Sequence, residues 1–199
     1  MIDKRIERAK RGDQNAIAEL FAQHRQRLKT IIEIRMDPRL AGRVDPSDVL
    51  QETYIDVNNL IHEFRDGDLP FFLWLRLKVG HRLSYLHRYH LATQKRTAFR
   101  EISLVTGPMP AASSISLASQ LMGRITTASN AAIRAETRLR LQEALNKMSE
   151  IDREVLVLRH FEDLTNIETA QVLKISQTAA SNRYIRALKK LKDVMTPIE

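Results

Sequence analysis

The stretch Thr165-Asn166-Ile167-Glu168-Thr169-Ala170-Gln171-Val172-Leu173-Lys174-Ile175-Ser176 holds two helix starts in close succession. Thr165 and Glu168 stand at capping-box spacing, and Ser176 is placed to cap a second helix. The first helix spans about two turns and is expected to bury Ile167, Ala170 and Leu173, with the small Ala170 letting the next helix cross closely. The second is expected to bury Tyr184, Leu191 and either Ala187 or Leu188. Its front then carries Gln177, Thr178, Ser181 and Asn182, with Arg183, Arg186, Lys189 and Lys190 further along. A short capped helix, a tight turn and a longer helix with one-sided charge make a helix-turn-helix. The polar front suits base edges in DNA, and the cations behind it suit phosphates.

Working outward, apolar residues recur at helical spacing on both sides of this motif. Upstream they run Ile2, Ile6, Ala9; Ile17, Leu20, Phe21, Leu28, Ile31; Val49, Leu50, Thr53, Val57, Leu60; and Leu73, Leu77, Gly80, Leu83. Nearer the motif come Leu139, Leu141, Leu145 and Val155, Leu156, Leu158. Asp13 follows Gly12 as a candidate N-cap, and Asp45-Pro46 sets a capping carboxylate before a proline at the first helical position. Period-two alternation is almost absent. Gly and Pro total 12 of 199 residues, about half their usual share. The fold class is therefore all-α, with two small helical domains and a linker: residues 1–100, 101–133 and 134–199.

The linker assignment rests on Ser103–Asn130, rich in Ser, Ala, Thr, Gly and Pro with Arg124 as its one charge. Composition predicts that it lacks structure in the free protein, although Leu117, Leu121 and Met122 could form a short amphipathic turn against a partner. The absence of Cys from all 199 residues excludes disulfides, thiolate metal sites and cysteine nucleophiles. There is no uninterrupted apolar run of the ~18 residues that span a bilayer. No apolar segment follows Met1-Ile2-Asp3-Lys4-Arg5, so a soluble, unexported, cytoplasmic chain is expected.

The net charge of +8 is gathered into surfaces. Residues 45–68 hold seven acids and one base, Arg65. Residues 69–100 invert this, with seven Lys/Arg, three His, no acid and six aromatics. Residues 170–192 hold six bases and no acid. Asp48, Gln51 and Glu52 share one helix face, which phosphates would avoid and a basic protein surface would accept. The basic aromatic segment suits single strands, because rings stack on exposed bases while cations follow the backbone. His81, His87 and His90 have no acids or Cys beside them, so no metal and no cofactor is expected.

At this point the residues match a family. Gly12-Asp13-x-x-Ala16-x-x-x-Leu20-Phe21, then Asp45-x-x-Asp48-Val49-Leu50-Gln51-Glu52-Thr53-Tyr54, then Phe71/Phe72-x-Trp74-Leu75 occupy the first domain. Leu145-x-x-Met148-x-x-x-Asp152-Arg153-Glu154-Val155-Leu156-x-Leu158-Arg159 and the helix-turn-helix ending Arg186-Ala187-Leu188 occupy the last. The set resembles bacterial RNA polymerase sigma factors of the sigma-70 family, of the small extracytoplasmic-function (ECF) type that has only the second and fourth conserved regions.

The resemblance implies a non-enzymatic subunit that directs core RNA polymerase to promoters. Asp45, Asp48, Gln51 and Glu52 would dock on the β′ clamp, with β as a further contact. Arg76, Lys78, His81, Arg82, Tyr85, Arg88, Tyr89, Lys95 and Arg96 would meet the -10 element and help melt it. Ser176, Gln177, Thr178, Ser181, Asn182, Arg183, Arg186 and Lys190 would meet the -35 element. An anti-sigma factor would be a possible further partner. His81 stands where the family usually has Asn, Tyr85 where it often has Asp, and Ala180 and Asn182 replace residues that are often Lys and Arg. Promoter preference is therefore not transferable from a relative. The alternative is a free-standing helix-turn-helix regulator, which should dimerise on a palindrome and would leave the acidic and aromatic N-terminal surfaces unexplained. A nuclease would need a metal cluster among the acids of residues 45–68, and no phosphate loop or nucleophile motif accompanies them.

Overall fold

The computed structural model describes residues 3–65, 69–91, 109–124 and 131–195. The chain divides into two compact units, Met1–Pro110 and Ala111–Glu199. Among the described residues all regular structure is helical, as the periodicity predicts. No helix among them is long and apolar enough to cross a membrane.

In the first unit, α1 (Lys4–Lys10) starts at Asp3, whose side chain accepts from the Arg5 amide. Gly12, at φ +89°, turns the chain directly into the next cap. Asp13 accepts from the Asn15 and Ala16 amides and opens α2 (Gln14–Arg35). Asp45 accepts from the Ser47 amide at 2.6 Å and opens α3 (Pro46–Leu60), with Pro46 pre-set for the first turn. The fourth helix, α4, runs Phe71–Leu91. α2 packs on α1, α3 and α4, and α3 packs on α4. The core they enclose includes Leu20, Leu28, Ile31, Ile32, Val49, Val57, Leu75, Val79 and Leu83. Burying each such side chain contributes about 1.5–3 kcal/mol.

The Met109–Pro110 segment seats on this bundle. Buried Arg35 donates from Nη1 to the Pro110 carbonyl at 2.8 Å. Met109 is buried against Gly80, where a Cβ would lie 3.3 Å from the Met109 Cα. Glycine at this point of α4 is what lets backbone approach backbone.

The second unit contains α5 (Ser114–Arg124), α6 (Ala131–Asn146), α7 (Glu150–Leu156), α8 (Asn166–Leu173) and α9 (Gln177–Met195). α7 continues into one π-helical turn, Val157–Phe161. α9 packs on α6, α7 and α8, and α5 packs on α6. Leu141, Leu145, Met148, Val155, Leu156, Leu158, Phe161 and Leu173 form the core with Ala180 and Ala187 of α9.

Several expectations are corrected here. The segment read as unstructured contains α5, with Leu117, Ala118 and Met122 buried, and buried Ser114 accepts a hydrogen bond from Arg153 Nη1 at 3.1 Å. Averaged composition hid an apolar stripe at 117, 118 and 122, which is helical spacing with small residues around it. Ala170 and Leu173 are buried as expected, but Ile167 is 61% exposed and Thr169 is buried instead, so the buried face of α8 is rotated by about 50° from the expected one. Leu139 and Leu188 are exposed and Tyr184 is half-buried beneath the Arg159 guanidinium, leaving Ala180, Ala187 and Leu191 to anchor α9. Small side chains at 180 and 187 bring the helix close, which pushes the larger neighbours outward.

Candidate nucleic-acid interface

The helix-turn-helix is built as its caps dictate. Thr165 and Glu168 exchange both capping hydrogen bonds, and Ser176 Oγ accepts from the Ala179 amide at 3.1 Å. Lys174 closes α8 in the left-handed conformation at φ 53°. Asn166 Nδ2 donates to the Gln177 carbonyl at 2.8 Å, tying the start of α8 to the start of α9. Ser176, Gln177, Thr178, Ser181, Asn182, Arg186 and Lys190 are all exposed along α9. Arg183 departs from its expected place: its guanidinium turns inward and donates to Asp152 of α7 at 2.8 Å. Burial pushes the Asp152 carboxyl up, but the hydrogen bonds from Arg183 and Ser149 and the charges of Arg183 and Arg186 outweigh it and hold it below its ordinary value.

On α3, Asp45, Asp48, Gln51 and Glu52 are exposed. The Ser47 amide hydrogen bond holds the Asp45 carboxyl below its usual range, so this residue is an ionised cap. Ile55, one turn beyond Gln51 and Glu52, is 51% exposed and extends the same face.

The basic segment of α4 is not one surface. Arg76 is 5% exposed and Lys78 is also buried, its ammonium 3.7 Å from Glu63 and over the Trp74 ring. Arg82 is committed to α3, bridging Glu52 at 2.6 Å and Asp56 at 2.7 Å. These three are corrected from nucleic-acid contacts to packing residues. The long aliphatic stems of Lys78 and Arg82 carry charged heads across an apolar helix to acids nearby, which composition alone does not reveal. His87, also in this segment, is buried, and its Nε2 accepts from the Asp37 amide at 3.1 Å.

What α4 does expose is His81, Tyr85, Arg88 and Tyr89. The two tyrosines are 50% and 70% exposed and stack on each other, centroids 6.1 Å apart and planes 17° apart. His81 is held below its ordinary pKa by partial burial, then by the charges of Lys78 and Arg88, with Asp56 opposing. Lys95 and Arg96 lie outside the described residues. Among the described residues no group of His, Asp or Glu is placed to hold a metal ion.

Residues 138–191 match the family described as Sigma-70, region 4. The chain is 24% identical over 193 residues to the ECF RNA polymerase sigma factor SigW of Bacillus subtilis, covering 96% of this chain and 95% of that protein. It is 25% identical over 192 residues to the ECF RNA polymerase sigma factor SigD of Mycobacterium tuberculosis, covering 96% and 82%. Over nearly its whole length this chain is therefore similar to ECF sigma factors of the sigma-70 family. The solved structure of CnrH in complex with the cytosolic domain of CnrY shares its fold, with a TM-score of 0.55 at 22% identity over 96% of this chain and 94% of that one.

Two features of these surfaces escaped sequence reasoning. Ile55 was hidden because an apolar residue in an amphipathic helix is assigned by default to the core, although its i+7 spacing from Asp48 places it on the acidic face. The inward turn of Arg183 was hidden because its partner, Asp152, lies 31 residues away in sequence.

Proposed function

We propose that this chain is a cytoplasmic sigma factor that binds core RNA polymerase through α3 and promoter DNA through α4 and α9, adding no chemistry of its own. The observation that carries this reading is the separation of surfaces on named helices. α3 presents Asp48, Gln51, Glu52 and Ile55; α4 presents a stacked tyrosine pair beside Arg88; α9 presents a polar front with cations behind it. An acidic face with one exposed isoleucine fits a basic protein surface such as the β′ clamp, and repels phosphate. The tyrosine pair offers two ring faces to unstacked bases of a melted -10 element, at about 1–3 kcal/mol per stacked base. The front of α9 offers Gln, Thr, Ser and Asn to base edges of a -35 element.

A third partner belongs to the same proposal. CnrH was solved with the cytosolic domain of CnrY bound, which supports an anti-sigma protein as a regulator here. The docking assignment is tested by co-purification with core enzyme. Asp48→Arg reverses charge at an exposed helix position and is expected to weaken core binding at least tenfold with helicity unchanged. Wild-type core affinity in that variant would remove α3 from the interface.

A further inference from the structure

α7 and α9 meet at Asp152, the third residue of α7. Its side chain is 3% exposed; Oδ1 accepts from Arg183 Nη1 at 2.8 Å, and Oδ2 lies 3.7 Å from Arg186 Nη1. A carboxylate this far from water persists only with compensating charge. Here both compensating charges come from the helix assigned to DNA reading. Arg183 and Arg186 are three residues apart and so lie on one side of α9, the side drawn to α7. The reading front, Gln177 to Asn182, occupies the turns just before them. Because successive residues are locked in azimuth, fixing 183 and 186 fixes the direction in which 177, 178, 181 and 182 project. A rotation of ~20° about the axis would carry a side-chain tip by roughly 2 Å, more than a hydrogen bond to a base tolerates.

The same contact affects affinity. Of the six cations in residues 170–192, one is turned inward and a second is shared with a carboxylate. Neither engages phosphate as a fully solvated arginine would. We propose that Asp152 is a positioning residue for promoter recognition: it sets the rotation of α9 and withholds Arg183 from the DNA backbone, raising sequence-specific over sequence-independent binding. This inference rests on the reading of α9 as the -35 helix.

The test uses the full chain and two duplexes. One is the sequence that the wild-type chain enriches from a randomised duplex pool, the other a scrambled duplex of equal composition, with affinity measured by fluorescence anisotropy between roughly 50 and 200 mM salt. Asp152→Asn is expected to bind the scrambled duplex more tightly and to steepen the log affinity against log salt slope by about 1–2, one for each arginine released. The ratio of enriched to scrambled affinity should fall about tenfold. A purely structural role would weaken both duplexes by one factor, leaving slope and ratio unchanged, and that result overturns the proposal. Should Asp152→Asn lose its helicity, Arg183→Gln decides. Its salt slope should equal wild type while the ratio falls, whereas a slope shallower by about 1 would show Arg183 on a phosphate and overturn the proposal. If the wild-type chain enriches no sequence, the -35 reading of α9 fails and the inference goes with it. Enrichment by wild type with an unchanged ratio in the variants refutes the inference alone.

Discussion

Tyr85 and Tyr89 stand one turn apart on α4 with both rings exposed and stacked, so each ring has a face that makes no internal contact with the other. Truncating either should therefore cost binding and little stability. Tyr89→Ala is expected to weaken binding of the holoenzyme to a single-stranded -10 oligonucleotide by about 1–3 kcal/mol, with the melting temperature unchanged, as read by anisotropy beside a thermal melt. His87 is the opposite case, a buried imidazole whose Nε2 must stay unprotonated to accept from the Asp37 amide. Burial depresses its pKa, Asp37 opposes this, and Arg39 adds to it. A histidine depressed in the fold contributes stability that is complete above its unfolded pKa of ~6.5 and is lost as pH falls through the lower folded value. Thermal melts from pH 7.5 down to pH 5 should show the first unit losing stability in this window, and His87→Gln should flatten that step. At this scale the sequence was legible where one residue acts through its neighbours. The caps at Asp13, Asp45, Thr165 and Ser176 accept from amides two or three residues on. It was illegible where a charge finds a distant partner, as Arg82 does with Asp56 and Arg183 with Asp152.

Helices were legible to the extent that their apolar period outlasted their composition. α2, α3 and α4 carry long stripes and were expected; α5 has a stripe of three buried residues inside a Ser- and Ala-rich run and was read as unstructured. Its packing on α6 and the Arg153 hydrogen bond to Ser114 make it part of the second unit. Leu117, fully buried at the centre of that stripe, supplies the check. Leu117→Ala should destabilise the second unit by about 2–5 kcal/mol, measured by chemical denaturation, whereas a loosely attached segment would show a loss below ~0.5 kcal/mol. On α4 the close approach at Gly80 makes a sharper prediction. Gly80→Ala would ordinarily favour a helix by about 1 kcal/mol, yet here it should lower stability, because its Cβ meets Met109 Cα at 3.3 Å and Met109 Cε at 3.1 Å.

Across the whole chain, the net charge of +8 is the remainder of opposed surfaces. The acids of α3 face outward, while Arg82 and Lys78, counted in the sequence as part of a basic surface, neutralise Glu52, Asp56 and Glu63 from within. The basic character of α4 is therefore smaller than its composition, and its aromatic character larger. Under the proposed function, that balance would suit α4 to unstacked bases, with the cations of α9 left to meet duplex phosphates. α3 and α4 lie in the first compact unit and the helix-turn-helix in the second. A free-standing regulator would have no use for the α3 face. The central claim is that the chain acts only with core polymerase, and run-off transcription on a library of genomic promoter fragments tests it most directly. Core enzyme plus the wild-type chain should produce discrete new start sites that are absent with core alone and lost with Asp48→Arg. Sequence-specific binding to palindromic DNA by the chain alone, with no start site gained when core enzyme is added, would contradict it.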